Sequence, residues 1–234
     1  MKCWKVPNMW KDGECCIIGG GSSIIEQFDI PSELVERVRK GESSMSDYSP
    51  YFASIYKKHV IGINMAYKLG DWIDVILFGD HGNFFLPNLK QLFDFPNLIV
   101  SCNPKTKDFN WVKWLARDRK PYGICENRHK IVWNQNTGAA GINLAIHTGV
   151  KRILLFGFDM YINEGNQHFH NEYLRKKKRE RAKTSKGIEK DFQRHLKAFP
   201  AIAKEAKKLK IEILNINPKS RINDFQKMNL KDVL

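Results

Sequence analysis

Residues 15–23 read CCIIGGGSS, an apolar run broken by three glycines and two serines. A strand that stops at Ile18 and enters Gly19, Gly20 and Gly21 makes a turn whose backbone can approach a ligand closely, because no Cβ intervenes. A helix starting near Ser22 or Ser23 would offer unpaired N–H groups, a favourable dipole and hydroxyl donors to a phosphate. The same residues also suit a tight strand-to-helix turn with no ligand. Further along, His168 and His170 stand in the spacing H-x-H, and two such residues share a face only on extended backbone. With carboxylates from Asp80 or Asp159 they can ligate a metal. Carried on a closing segment, they can instead act as a general acid or base.

These groups need elements to position them. Apolar runs recur at 15–19, 59–64, 74–79, 97–101, 129–133, 152–157 and 211–216. Most are continuous rather than alternating, which is how strands covered on both faces read. Helical patterns lie between them at 31–40, 65–70, 86–94, 138–148 and 188–209, the last split or kinked at Pro200. Strand and helix in alternation predict an α/β fold, a single-domain doubly wound, mostly parallel sheet of Rossmann-like type over 1–234. The serine-rich stretch 41–58 reads as a connection or an excursion from the sheet, and the aromatic stretch 102–128 has no readable element.

In open α/β sheets ligands bind beyond the carboxyl ends of strands. The residues there are mostly short and polar: Gly19 to Ser23, then Asn64, then Asp80 and His81, then Asn134, Asn136, Thr137 and Gly138, then Asp159, then Asn215, Asn217 and Ser220. Side by side on one rim they would form a nucleotide-sized cleft. Asn136 or Thr137 is placed to cap a helix, and the small residues after it suit close approach to a ligand or to the sheet. His195 lies one position from the buried stripe of the long helix.

The 234 residues carry a net charge of +14. Nine Lys/Arg against two Glu in 175–190 supply half of that excess, which favours a polyanion-facing segment over a uniformly basic fold. The polar stretch 160–187 reads as a lid. No apolar run has membrane-spanning length and no secretory leader is evident, so a cytoplasmic protein is expected. Five cysteines without CxxC or Cys/His zinc spacing are expected to be reduced.

The order IIGGGSSI, GIN, FGDHG, NTGAAGINLAIHTGVKRILLFGFDMY and KIEILNINPKSRINDF resembles the bacterial lipooligosaccharide sialyltransferases and the related hydroxymethylpterin diphosphokinase-like family, a pattern also met in tailed-phage genomes. The resemblance implies that Gly19, Gly20, Gly21 and Ser22 border a nucleotide phosphate. It implies that Asn64 and Asp80 contact donor nucleotide and sugar, Asp80 standing where the family has asparagine. Thr137 and Gly138 match a serine-glycine pair near the donor, Asp159 matches an acidic residue, and Ser220 matches a serine after the last strand. His195 is the nearest counterpart of the family's histidine base, while His168 and His170 lie earlier. Asp80 would repel an anionic sugar carboxylate, so another donor or a metal-bridged diphosphate would suit it better.

Three activities follow as expectations. The first is a nucleotide-dependent transferase, a glycosyltransferase with a nucleotide-sugar donor and an anionic or hydroxyl acceptor, glycan or nucleic acid, met by residues 175–190. The second is a magnesium-dependent diphosphokinase using ATP, its metal held by Asp80 and Asp159. The third is a nucleic-acid-binding module using the basic segment.

Overall fold

The computed structural model describes residues 3–163, 165–172 and 185–234. Eight parallel strands form the central sheet: β1 (Glu14–Ile18), β2 (His59–Ile63), β3 (Val75–Phe78), β4 (Leu98–Ser101), β5 (Val112–Trp114), β8 (Arg152–Phe156), β9 (Glu212–Asn215) and β10 (Gln226–Lys227). Their order is β10-β9-β8-β1-β2-β3-β4-β5. The strand order reverses direction at β1, which pairs with β2 on one side and β8 on the other.

Continuous apolar runs are needed because both faces are covered. Successive side chains point to opposite faces, so Cys15 and Ile17 enter one core while Cys16 and Ile18 enter the other. Val75 and Leu77 alternate with Ile76 and Phe78 in the same way. One face is covered by α4 (Thr137–His147) and α6 (Phe199–Lys208), which bring Ala139, Ile142, Phe199 and Ile202 to it. The other is covered by α1 (Ile24–Gln27), α2 (Ser32–Lys40), the 3-10 turns Met45–Ile55 and Asn64–Leu69, and the region of α3 (Leu89–Phe93). The helical pattern at 188–209 divides into α5 (Ser185–Leu196) and α6, with Pro200 in the first turn of the latter. All five cysteines are free.

Four expectations about elements are corrected. The stretch 41–58 contains a 3-10 helix that buries Met45, Tyr48, Phe52 and Ile55. Its apolar spacing is largely three, and the intervening serines and Pro50 disguise it. Residues 65–70 form a 3-10 rather than an α-helix. The run 129–133 does not join the central sheet: β7 (Lys130–Ile131) pairs only with β6 (Ala116–Arg117). The place beyond β4 is taken by β5, from the stretch that had no readable pattern.

Candidate functional site

Because the strands are parallel, the carboxyl ends of β1, β2, β3 and β8 share one rim. A cleft of about 340 Å³ opens there. Twelve of the residues singled out above line it: Gly19, Gly20 and Gly21 after β1, Asn64 after β2, Asp80 after β3, Asn136, Thr137 and Gly138 at the start of α4, Asp159 after β8, then His168, His170 and His195. Ser22 and Ser220 do not line it.

The glycine turn borders the cleft, but its glycines answer first to their own chain. Gly19 N–H donates to Phe156 O at 2.7 Å and Gly21 N–H to Gly157 O at 2.9 Å. A Cβ on Gly19 would lie 2.7 Å from Gly157 O, and one on Gly21 would strike the Asp159 carboxylate and lie 2.6 Å from Gly157 O. Close packing of the turn after β1 against the turn after β8 therefore requires glycine, and these two amides are not phosphate donors.

The anion at the start of α1 is internal. Asp159, 2% exposed, accepts from Ser23 N–H at 2.9 Å, from the Ser23 hydroxyl, and from Asn217 Nδ2 at 2.9 Å. Burial raises its pKa above the usual carboxylate range, opposed by the Ser23 and Asn217 hydrogen bonds. Ser22 Oγ donates to Asn166 O at 3.2 Å. Ser220, expected at the ligand, is buried and turned inward: its hydroxyl donates to Phe158 O at 2.6 Å and accepts from Ile222 N–H at 3.0 Å. Both serines tie loops together.

Asp80 holds the turn after β3, accepting from Asn83 N–H at 2.9 Å and from Asn83 Nδ2 at 3.0 Å. Asp80 and Asp159 thus each engage both carboxylate oxygens within the protein. Among the described residues no three His, Cys, Asp or Glu side chains come together as a metal-binding group.

Two features of the cleft lining are left unsatisfied. Asn64 sits in left-handed backbone at φ 52°, and its buried Oδ1 has no hydrogen-bond partner among the described residues. Helix α4 aims its N-terminus at the cleft. Asn136 caps it, accepting from Ala139 N–H at 3.2 Å, while the amides of Thr137 and Gly138 belong to the first turn, where no intrahelical acceptor exists.

The histidines occupy distinct states. His168 Nδ1 lies 3.0 Å from Gly20 O. A carbonyl only accepts, so the proton sits on Nδ1 and Nε2 is the basic nitrogen. His170 Nδ1 accepts from Glu172 N–H at 3.3 Å, so its Nε2 carries the proton. Burial, the neighbouring His168 and Lys68 hold the His170 pKa well below the usual range, making it a neutral donor. The two rings stack at 5.3 Å with planes 5° apart. Their segment is fastened to the glycine turn: Phe169, fully buried, donates its N–H to Gly20 O at 3.3 Å, and Glu172 pairs with Lys68 at 2.7 Å. His195 accepts at Nε2 from Arg194 at 3.3 Å. Of the expected lid at 160–187, residues 164 and 173–184 lie outside the described residues, as does most of the basic run 175–190.

Sequence reasoning did not single out Trp133, Gln135, Tyr161 and Arg194, which also line the cleft. Tyr161 follows Asp159 by two positions, and its hydroxyl accepts from Asn217 Nδ2 at 3.5 Å. Trp133 gave no signal, because an aromatic residue closing an apolar run reads as core.

No family model matches the chain, and no curated protein matches it in sequence. Among solved structures it is similar to the MAf glycosyltransferase from Magnetospirillum magneticum AMB-1, with a TM-score of 0.60 and 11% identity over 100% of this chain. The chain spans 36% of that protein's length. It is also similar to the sialyltransferase CstII from Campylobacter jejuni in complex with a substrate analogue, cytidine-5'-monophosphate, with a TM-score of 0.50 and 16% identity, over 93% of this chain and 85% of that one. At these identities the likeness establishes the α/β fold. Among the described residues no helix is long and apolar enough to cross a membrane.

Proposed function

We propose that this chain is a nucleotide-dependent transferase, a glycosyltransferase that draws its sugar from a nucleotide-sugar donor. The observation that carries the reading is the buried Oδ1 of Asn64, without a partner among the described residues and held by left-handed backbone in the same cleft as the open first turn of α4. An acceptor without a donor, in one cleft with first-turn amides that have no intrahelical acceptor, suits a ligand offering both N–H or O–H groups and an anion. A nucleotide offers both. The fold likeness to two glycosyltransferases supports the sugar.

In this reading the Thr137 and Gly138 amides and the α4 dipole hold the donor phosphate. His168 Nε2 takes the proton of an acceptor hydroxyl as its oxygen bonds to the anomeric carbon. The sugar–phosphate bond breaks with its electron pair passing to the phosphate. His170 Nε2–H and the Arg194 guanidinium offset the charge that develops there.

Thermal melting with CMP, CDP, UDP, GDP, AMP and ATP, each with and without magnesium, tests this. A ligand about a hundredfold above its Kd stabilises the fold by about 2.7 kcal/mol, which is roughly 5–10 °C for a chain of this size. Stabilisation by one nucleotide class, without magnesium, is expected. Stabilisation by ATP only with magnesium would favour diphosphoryl transfer. Silence with every nucleotide and a salt-dependent shift with DNA would refute the transferase reading.

A further inference from the structure

The donor site leaves one wall of the cleft without a role. That wall is the half-buried indole of Trp133, and unusual local structure holds it in place. Arg117 lies over one ring face, its Cζ 4.3 Å from the centroid. The guanidinium is itself fixed by two carbonyls, Nε to Cys102 O at 3.0 Å and Nη2 to Gly79 O at 3.2 Å. Gly79 is where the ring edge passes: a Cβ there would run into the six-membered ring. Behind the indole, residues 133–136 make a turn closed by Asn136 N–H to Trp133 O at 3.1 Å. Its two central residues, Asn134 and Gln135, both lie in left-handed backbone at φ 54° and 51°.

Such backbone persists only where the surroundings dictate it. Here Asn134 does so, accepting from Gly123 N–H at 2.8 Å and donating to Gly123 O at 3.0 Å and Val132 O at 3.2 Å. The indole is thus a fixed platform that lines the cleft with Arg117 over one of its faces. Asp80, exposed, lines the same cleft at the end of β3, next to Gly79. Its carboxylate accepts one hydrogen bond at each oxygen from Asn83, which leaves lone pairs on both.

An aromatic face beside a carboxylate suits a ring with one C–H face and hydroxyls on its rim. The negative face of the indole attracts polarised C–H groups, and the carboxylate accepts from hydroxyls. We propose that Trp133 and Asp80 form the subsite for the sugar ring, and that this sugar is an uncharged pyranose. The proposal rests on the nucleotide-sugar reading above and deepens it. A sugar acid would set its own carboxylate against Asp80, a like-charge contact that discriminates strongly.

Titration calorimetry on the full chain tests it with three free nucleotides, UDP, GDP and CMP, and with UDP-glucose, UDP-glucuronate, GDP-mannose and CMP-N-acetylneuraminate. UDP-glucose and UDP-glucuronate differ only at C6. The neutral sugar nucleotide is expected to bind more tightly than its free nucleotide, and Trp133→Ala to remove that gain while Trp133→Phe keeps most of it. UDP-glucuronate is expected to bind about tenfold or more weakly than UDP-glucose, and Asp80→Asn to bring the two within about threefold. Should Trp133→Ala melt early, Trp133→Phe and the surface substitution Asp80→Asn carry the test. Equal loss of free nucleotide and sugar nucleotide in the Trp133 variants would place a base on the indole and overturn the proposal. A preference for the acidic sugar, or no gain from any neutral sugar, would overturn it while leaving the nucleotide reading standing. No binding of any nucleotide would overturn both.

Discussion

Replacing Gly21 by alanine adds one methyl group where the turn after β1 meets the turn after β8. The new Cβ would strike the Asp159 carboxylate and lie 2.6 Å from Gly157 O. Neither can give way easily: Asp159 is held by Ser23 and Asn217, and Gly157 O already accepts from Gly21 N–H. Overpacking of this kind costs about 1–3 kcal/mol, and the upper end applies when main chain is struck. Restricting the unfolded chain returns about 0.4–1 kcal/mol. The net loss is about 2 kcal/mol, which for a chain of this size lowers Tm by roughly 4–8 °C. Gly20→Ala would meet only the His168 ring, 3.1 Å from Nδ1 and 3.6 Å from Cε1, with no main-chain atom in the way, and Gly82→Ala would meet nothing within 4 Å. Thermal melts without ligand should therefore rank Gly21→Ala lowest, Gly20→Ala next, and Gly82→Ala at or above the parent. If Gly21→Ala melted with the parent and lost only nucleotide binding, the glycine would be there for a ligand, and the packing argument would be refuted.

Asn64→Gly keeps the left-handed backbone but removes an acceptor that has no partner among the described residues; Tm should stay within about 2 °C while nucleotide affinity falls about tenfold. Glu205 joins α6 to the 117–128 stretch through Lys120 at 2.8 Å and Ile124 N–H at 2.5 Å. Burial pushes its pKa up, but those bonds outweigh it and hold the pKa below the usual value. Its stabilisation is thus full above about pH 4.3 and lost as pH falls through the lower folded value, so Glu205→Gln should lower Tm at pH 7 and by progressively less as pH falls below about 4.3. For His170 the buried ring resists protonation, so the unfolded chain binds the proton first and stability drops as pH falls below about 6.5, by up to about 1.4 kcal/mol per pH unit. Urea midpoints between pH 7.5 and 5.5 should show that slope in the parent and a flatter one in His170→Gln.

Strands β1, β3 and β8 were legible because burial on both faces demands unbroken apolar runs, a pattern few other elements share. Helix α4 was legible from its Asn136 cap. The rim of short polar residues could be assembled because parallel strands put their ends together whatever the loop details. What each rim residue touches was not legible. Gly19 and Gly21 are glycine on account of Gly157 and Asp159, which are remote in sequence, and Ser220 faces Phe158 O rather than the cleft. Nothing local distinguishes a glycine kept for a ligand from one kept for a neighbouring turn. Trp133 escaped notice for a similar reason: its platform depends on Arg117 and Gly79, each brought to it by tertiary structure. Strand β5 lacked a periodic signal because three residues are too few to make one, and the helix Met45–Ile55 hid its three-residue spacing behind serines and Pro50.

The central place of β1 also governs the order in which the molecule can be built. One edge of β1 pairs with β2, close behind it, but the other waits for β8, whose first residue Arg152 pairs with Glu14 across 138 positions of chain. At about 5–20 residues per second, synthesis leaves that edge without its partner for roughly 7–30 s. An apolar strand with one open edge is a template for pairing with another chain. At the entrance to this pair Glu14 binds Arg152 at 2.9 Å and Lys58 at 2.8 Å, while the alternation of apolar residues between the two cores sets the register as it closes. The cleft therefore forms late: Asp159 and His168 reach the glycine turn only after β8 has docked, so a nascent chain has no binding site until most of its central sheet is in place.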